Sequence, residues 1–256
     1  MSLKQKIIRL LYPHGSVRRV RRGAIRGARF VVSPGMGATY AWGHEVMNQG
    51  FLAAKVRPGM VVYDVGANRG QMALYFSKFV GSAGKVLSFE PAPANFDLLE
   101  RNLRLNDFAA NVQPFKLALA ADNQPREFTF HETDHTQGTF SDRITLLESW
   151  ETLVKEQVQC DTIDQLVAAG QPVPHVLKID VEGSGAEVLQ GAIQTLREHG
   201  PAIYLEVHAS SADAPEWLAF QKLQNELGYQ VVALGESLEA RRLPIWGGAA
   251  WCERPC

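Results

Sequence analysis

The stretch VVYDVGANRG, residues 61–70, decides the fold. Its opening VVYDV is a short β-branched and aromatic run, suited to a strand covered on both faces. Gly66 and Gly70 then bracket a tight turn, and Met72, Ala73, Phe76, Phe79 and Val80 follow at helical spacing. The segment predicts a strand, a turn and an amphipathic helix. KVLSFE (85–90) repeats the strand signal, and Phe96, Leu99 and Leu103 make the apolar stripe of a second helix, with Glu100, Arg101 and Arg104 on its other faces.

The same alternation continues to the end of the chain. A third strand is expected within VQPFKLALA (112–120), REFTFHE (126–132) alternates like a half-exposed strand, and TDHTQGTFSD (133–142) reads as a polar loop. Further on come a strand near Val158, a short helix in TIDQLVAAG (162–170) and the apolar strand HVLKIDV (175–181). A helix is expected to open at Gly183-Ser184, with Ser184 and Glu187 as a capping box. Its stripe is Val188, Leu189, Ala192, Ile193 and Leu196, and Gly200-Pro201 stops it. Strand AIYLEVH (202–208), helix PEWLAFQKLQNELG (215–228) and strand YQVVALG (229–235) follow. Apolar strands alternating with helices imply a doubly wound, mostly parallel α/β sheet of Rossmann-like type. The last segment, ARRLPIWGGAAWCE, has no helix before it and is expected to return antiparallel beside the preceding strand.

With 256 residues, 46% apolar and 21% charged, the chain can bury a full core, which excludes collagen-like, disordered and disulfide-stapled classes. No run approaches the roughly 18 apolar residues of a membrane span, and MSLKQKIIRLLYPHG lacks the features of a secretory signal. The expected compartment is cytoplasmic, and the odd count of three cysteines agrees with a reducing one. Charge is uneven. Residues 1–50 hold nine Lys and Arg against one acid, the remainder seventeen against twenty-six. We therefore divide the chain into a basic N-terminal extension (1–50) and an α/β domain (51–256). RRVRRGAIRGARFVV reads as a small hairpin turning at Gly23 or Gly27, with its arginines in water and Val20, Ile25, Phe30 and Val31 packed. The other reading of Arg18, Arg19, Arg21, Arg22, Arg26 and Arg29 is a patch for an anionic surface.

In such a sheet ligands bind at the carboxyl ends of the strands. The turn after the first strand departs from the dinucleotide fingerprint, because Gly66 and Gly70 stand four apart with Asn68 between them, a spacing suited to a cofactor without a pyrophosphate. Asp64 offers an anion for a cationic amino-acid moiety. Glu90, ending the second strand, can accept both hydroxyls of an adenosine ribose. Together they fit S-adenosylmethionine.

These residues resemble the FkbM-type branch of the class I S-adenosylmethionine-dependent methyltransferases over about residues 40 to 235. The resemblance rests on Asp64-Val65-Gly66-Ala67-Asn68-x-Gly70, on Phe89-Glu90-Pro91 with Leu99, Asn102 and Asn106, and on Thr162-Ile163-Asp164-x-Leu166. It rests above all on Lys178-Ile179-Asp180-Val181-Glu182-Gly183, continuing to Val188-Leu189-x-Gly191-Ala192 and Glu206-Val207-His208. It implies a seven-stranded sheet with the last strand antiparallel, and O-methylation of a hydroxyl on a glycan, polyketide or related small molecule. It also implies cofactor contacts from Asp64, Gly66, Asn68, Gly70, Glu90, Pro91 and Asp180. One departure stands out: Gly185 occupies a position where the family generally carries glutamate.

Methyl transfer to an aliphatic hydroxyl needs alignment and a group that takes the acceptor's proton. Asp180, Glu182, Glu206 and His208 should converge at neighbouring strand ends. His208 is the first base candidate, because an imidazole titrates near neutral pH, with Asp180 and Glu182 beside it. A metal-free base is preferred to a divalent metal held by the same groups. His131, His135, Thr136, Thr139 and Ser141 on the expected polar loop, together with Glu206, are placed against the acceptor. Tyr40, Trp42, His44 and Glu45 either close the pocket or pack the N-terminal extension. A nucleic-acid methyltransferase is disfavoured, since the Asp180 and Glu182 carboxylates repel phosphates, and a nicotinamide oxidoreductase lacks its phosphate loop. A cofactor-binding module without turnover stays open because of Gly185.

Overall fold

A computed structural model describes residues 12–33, 49–131, 138–140, 153–207, 215–233 and 248–255. In chain order the elements are β1 (Val17–Arg19), β2 (Arg29–Val31), α1 (Gln49–Lys55), β3 (Val61–Val65), α2 (Gln71–Val80), β4 (Lys85–Phe89) and α3 (Pro93–Arg104). A 3-10 turn (Asp107–Asn111) leads to β5 (Val112–Phe115), β6 (Ala118–Leu119), β7 (Arg126–His131), β8 (Gly138–Phe140), β9 (Leu153–Val158) and β10 (Cys160–Asp161). The last third holds α4 (Ile163–Ala168), β11 (Val176–Ile179), α5 (Gly185–Gln190), α6 (Ile193–His199), β12 (Ala202–Val207), α7 (Pro215–Leu227), β13 (Gln230–Ala233) and β14 (Gly248–Glu253).

Among the described residues the central sheet has seven strands in the order β5-β4-β3-β11-β12-β14-β13. Neighbours from β5 to β12 are parallel, and β14 alone runs antiparallel to both β12 and β13. The period of two in each strand sorts its side chains to opposite faces. Tyr63, Val65, Leu87, Leu177, Ile179, Ile203 and Leu205 join α5, α6 and α7 through Val188, Leu196, Phe220 and Leu223. Val62, Val86, Val176, Tyr204 and Trp251 meet α1 and α2 through Leu52, Phe76 and Val80. Each of these fully buried aliphatic and aromatic side chains contributes about 1.5–3 kcal/mol. Both faces are covered, as continuous apolar strands require.

The arginine-rich segment is the expected hairpin. β1 pairs antiparallel with β2, and Gly23 and Gly27 turn at positive φ of 77° and 91°. Val20, Ile25, Ala28 and Phe30 pack beneath it on Leu74, Leu99 and Leu103. Asn102 and Asn106 hold it to α3: their Oδ1 atoms accept the Val31 and Arg29 amides, both at 2.8 Å, and Asn106 Nδ2 donates to Arg29 O at 2.7 Å.

Four local expectations are corrected. Gly138–Phe140 is not loop: it pairs antiparallel with β7, which also pairs with β9. Packing explains this, because the Phe140 ring stands edge-on to Phe128 at 5.8 Å and a Cβ on Gly138 would lie 2.5 Å from the Phe128 ring. The helix after Gly183 is in fact two, α5 and α6, parted at Gly191-Ala192. A Cβ on Gly191 would lie 2.0 Å from Ala120 O, so the backbones meet there and the chain must bend. The capping box does not form. Ser184 precedes α5 without a side-chain cap bond, and Glu187 pairs instead with Arg126 of β7. The predicted third strand divides, β5 joining the central sheet and β6 pairing parallel with β10.

Candidate active site

The carboxyl ends of β3, β4 and β11 meet in one cleft. After β3 the chain passes through Gly66 (φ 75°), Asn68 (φ 50°) and Gly70 (φ 85°), the left-handed turn its glycines foreshadow. Gly66 admits no side chain, since its Cβ would fall 2.0 Å from Asp180 O at the end of β11. Gly70 instead faces the Leu99 side chain of α3, behind the turn.

Glu90 follows β4 in the cleft wall and is 5% exposed. Asn68 N–H donates to its Oε2 at 2.8 Å and Ala92 N–H to its Oε1 at 2.9 Å. Asn95, in the first turn of α3, adds a side-chain hydrogen bond. Burial nevertheless pushes this carboxyl up to about 7, against the pull of those donors and of Lys178. A carboxylate has about four lone-pair sites, so acceptor capacity remains at the cleft.

Beneath the cleft lies an ion cluster that sequence reasoning passed over. Lys178 on β11 is the register partner of Asp64 on β3. Its Nζ stands 3.2 Å from Asp64 Oδ1 and 3.3 Å from Asp180 Oδ2, and donates to Gly66 O at 2.9 Å. Burial acts to lower the lysine, but the Asp180 and Asp64 carboxylates outweigh it and hold the ammonium above its ordinary range. Asp64 is wholly buried, and burial raises its carboxyl despite the lysine. The signal was available: a lysine and an acid inside two adjoining apolar strands have to be paired to be buried.

The cleft, about 740 Å³ with its open mouth, is lined by Gly66, Asn68, Glu90, Pro91, Asp180 and Glu182, six of the residues singled out in the sequence. Asp64 lies below it and Gly70 behind it. Thr139 on β8 donates to Glu182 O at 2.7 Å, tying the three-stranded sheet to the end of β11. Glu206 is half-buried near the end of β12, close enough to favour the charged form of Lys178. His131 ends β7, and its side chain is outside the described residues, as are Tyr40, Trp42, His44, Glu45, His135, Thr136, Ser141 and His208. Sequence reasoning gave no site role to Phe89, Leu117, Leu119, Val181, Phe128 and Phe140, which give the cleft its apolar walls and aromatic cover, nor to Asn95, which hydrogen-bonds Glu90. The alternation of REFTFHE hinted at Phe128.

The model of the Methyltransferase FkbM domain matches residues 64–231, from the first acid of this site to β13. The chain belongs to the FkbM methyltransferase family. Methyltransferase sdnD of Sordaria araneosa is 27% identical over 66% of this chain and 73% of its own length. Hexuronic acid methyltransferase AglP of Haloferax volcanii is 30% identical over 65% of this chain and 64% of its own. Among solved structures, an FkbM methyltransferase from Methylobacillus flagellatus superposes with a TM-score of 0.53 at 17% identity, covering 75% of this chain and 43% of that one. An O-methyltransferase from Bacillus cereus, solved in complex with SAH, gives 0.52 at 13% identity, covering 83% of each chain. This FkbM chain thus has the Rossmann-like methyltransferase fold, and spans under two thirds of the archaeal relative and less than half of the FkbM crystal structure. No described helix is long and apolar enough to cross a membrane.

Proposed function

We propose that this FkbM protein is an S-adenosylmethionine-dependent O-methyltransferase acting on a hydroxyl of a glycan, polyketide or related small molecule. The observation that carries the reading is Glu90, a buried carboxylate at the cleft wall whose two backbone donors fix its orientation and leave acceptor capacity for a ribose diol. The remaining walls suit the same cofactor. Phe89, Leu117 and Leu119 provide apolar surface for an aromatic base, and the Gly66 turn lets a ligand approach the backbone. Asp180 offers an anion to a cationic amino-acid end. Asp64 acts indirectly, by fixing Lys178 and through it Asp180 and the Gly66 carbonyl.

When bound, S-adenosylmethionine supplies an electrophilic methyl group on a sulfonium. The chain's part is to align the acceptor and receive its proton. Glu182, in the cleft wall, and His208, one residue beyond β12, are the bases we assign to that step, with no metal. Gly185 opens α5 without a carboxylate, so the acids at this end of β11 are Asp180 and Glu182. Four carboxylates, Asp64, Asp180, Glu206 and Glu90, act on the ammonium of Lys178, and a fifth, Glu182, lines the same cleft. This field favours a sulfonium and opposes a polyphosphate ligand. We assign the acceptor to the side of the cleft covered by Phe128 and Phe140, and assign His131, His135, Thr139 and Glu206 to its recognition. The hexuronic acid named for the archaeal relative makes uronic acid glycans the first acceptors to try.

The test is transfer of an isotope-labelled methyl group to a panel of uronic acid oligosaccharides, neutral sugars and polyketide alcohols, with the product bond located by mass spectrometry. Label on a hydroxyl oxygen, reduced at least about 100-fold by Glu182→Gln or His208→Ala, is the expected result. Label appearing only on the uronic acid carboxylate, or binding of cofactor with no transfer to any hydroxyl acceptor, would overturn the assignment.

A further inference from the structure

The arginine hairpin is built as a rigid platform, and the fold alone does not account for its charge. Its underside is part of the core: Val20, Ile25, Ala28 and Phe30 are each at most 4% exposed. Its backbone is fastened to α3 by Asn102 and Asn106. Its upper side presents Arg19, Arg21, Arg22, Arg26 and Arg29 to solvent. Among the described residues none of these five has a carboxylate within ion-pairing distance, and Arg19 and Arg29 are direct register partners across β1 and β2. Like charges placed opposite each other destabilise a strand pair. Residues 51–256 are meanwhile net acidic, with twenty-six acids against seventeen bases, so positive charge is concentrated on one patch.

We propose that this hairpin docks the protein on an anionic lipid surface. The sequence just before it favours lipid over nucleic acid. Leu3, Ile7, Ile8, Leu10 and Leu11 are interleaved with Lys4, Lys6 and Arg9, the composition of a segment that lies in a membrane interface. Clusters of four to eight Lys and Arg beside such a segment recognise acidic headgroups. A nucleic acid would use the arginines and leave those apolar residues without a role. Docking also concentrates the enzyme near acceptors that carry a lipid, a consequence independent of which hydroxyl is methylated.

The experiment is co-sedimentation of the full chain with vesicles of phosphatidylcholine alone and of an equal mixture of phosphatidylcholine and phosphatidylserine, at low and high salt. The wild-type protein is expected to bind the mixed vesicles only, and to be released by salt. At about five-fold per arginine, the variant Arg19→Ser, Arg21→Ser, Arg22→Ser, Arg26→Ser should lose on the order of 100-fold or more in partitioning. Its melting temperature should equal or exceed the wild type's, because the Arg19–Arg29 repulsion is gone. The two-residue variant Arg21→Ser, Arg22→Ser at the turn, where both residues are exposed, should lose on the order of 25-fold and serves if the larger one misfolds. No binding to the mixed vesicles, equal binding to both vesicle types, equal binding by the variants, or tighter binding to random single-stranded RNA than to vesicles would each overturn the proposal. None of these readouts depends on methyl transfer.

Discussion

Replacing Lys178 by methionine should unfold much of the protein's margin of stability, and the loss should depend on pH in a direction the cluster dictates. The variant keeps the strand's volume but removes the ammonium 3.2 Å from Asp64 Oδ1. Both side chains are almost fully buried, at 3% and 0% exposure, so water does not replace it. At an effective dielectric near 20 the lost attraction is about 5 kcal/mol, and breaking a buried pair on one side costs about 3–5 kcal/mol. We expect a loss of about 3–5 kcal/mol at pH 8. Asp64 is then a buried acid whose folded-state pKa lies above its unfolded value. Such a group is unfavourable when ionised, so stability is regained as pH falls through the folded-state pKa and the carboxyl protonates. Urea unfolding followed by tryptophan fluorescence at pH 8 and pH 5 should therefore show the larger deficit at pH 8. The double variant Lys178→Met, Asp64→Leu should recover most of it. A single-variant loss under about 1 kcal/mol, or a double variant as unstable as the sum of its parts, would refute the reasoning.

Three more outcomes follow from the same geometry. Glu90, lifted by burial to about 7 from an ordinary 4.5, should destabilise the free protein when ionised, so relative to Glu90→Gln the wild type should gain up to about 3 kcal/mol between pH 8 and pH 5 in urea unfolding. Gly66→Ala meets both a positive φ and a carbonyl at 2.0 Å and should abolish cofactor binding with a loss well above the about 1–2 kcal/mol expected for Gly27→Ala, which has the same handedness and open space, when both are compared by thermal melting. Arg126→Met removes the ion pair with Glu187 and the cation over the Phe140 ring at 4.7 Å; loosening β7 and β8 should raise KM for the acceptor several-fold in steady-state kinetics while leaving cofactor affinity unchanged.

What could be read from the sequence was what a local period encodes. The strands at 61–65, 85–89 and 176–179 and the helices between them follow from apolar spacing. So does the hairpin, whose turn glycines and packed residues are adjacent in sequence. What could not be read depends on contacts distant in sequence. Gly138–Phe140 is three residues inside a polar stretch, and only Phe128 across the sheet makes it a strand. Ser184 and Glu187 have capping-box spacing, but Arg126, sixty-one residues away, takes the glutamate. Gly191 reads as a helix interior and is a backbone contact with Ala120. At the site, Gly66, Asn68, Glu90, Asp180 and Glu182 were legible because strand ends and glycine turns mark them. Lys178 in the middle of VLKI signals that some partner must pair it, but which partner is set only by the strand register that puts it beside Asp64. Asn102 and Asn106, prominent in the family pattern, turn out to anchor the hairpin.

The most direct test of the central claim is calorimetric titration of the ligand-free protein with S-adenosylhomocysteine, for wild type and Glu90→Ala, at pH 8 and pH 6. Binding by the wild type should weaken as pH falls through about 7, where Glu90 takes up a proton and loses the charged acceptor that the ribose diol needs. Binding by the variant should collapse at both pH values. Binding by Glu90→Ala as tight as by the wild type, or no binding by the folded wild-type protein at pH 8, would contradict the claim.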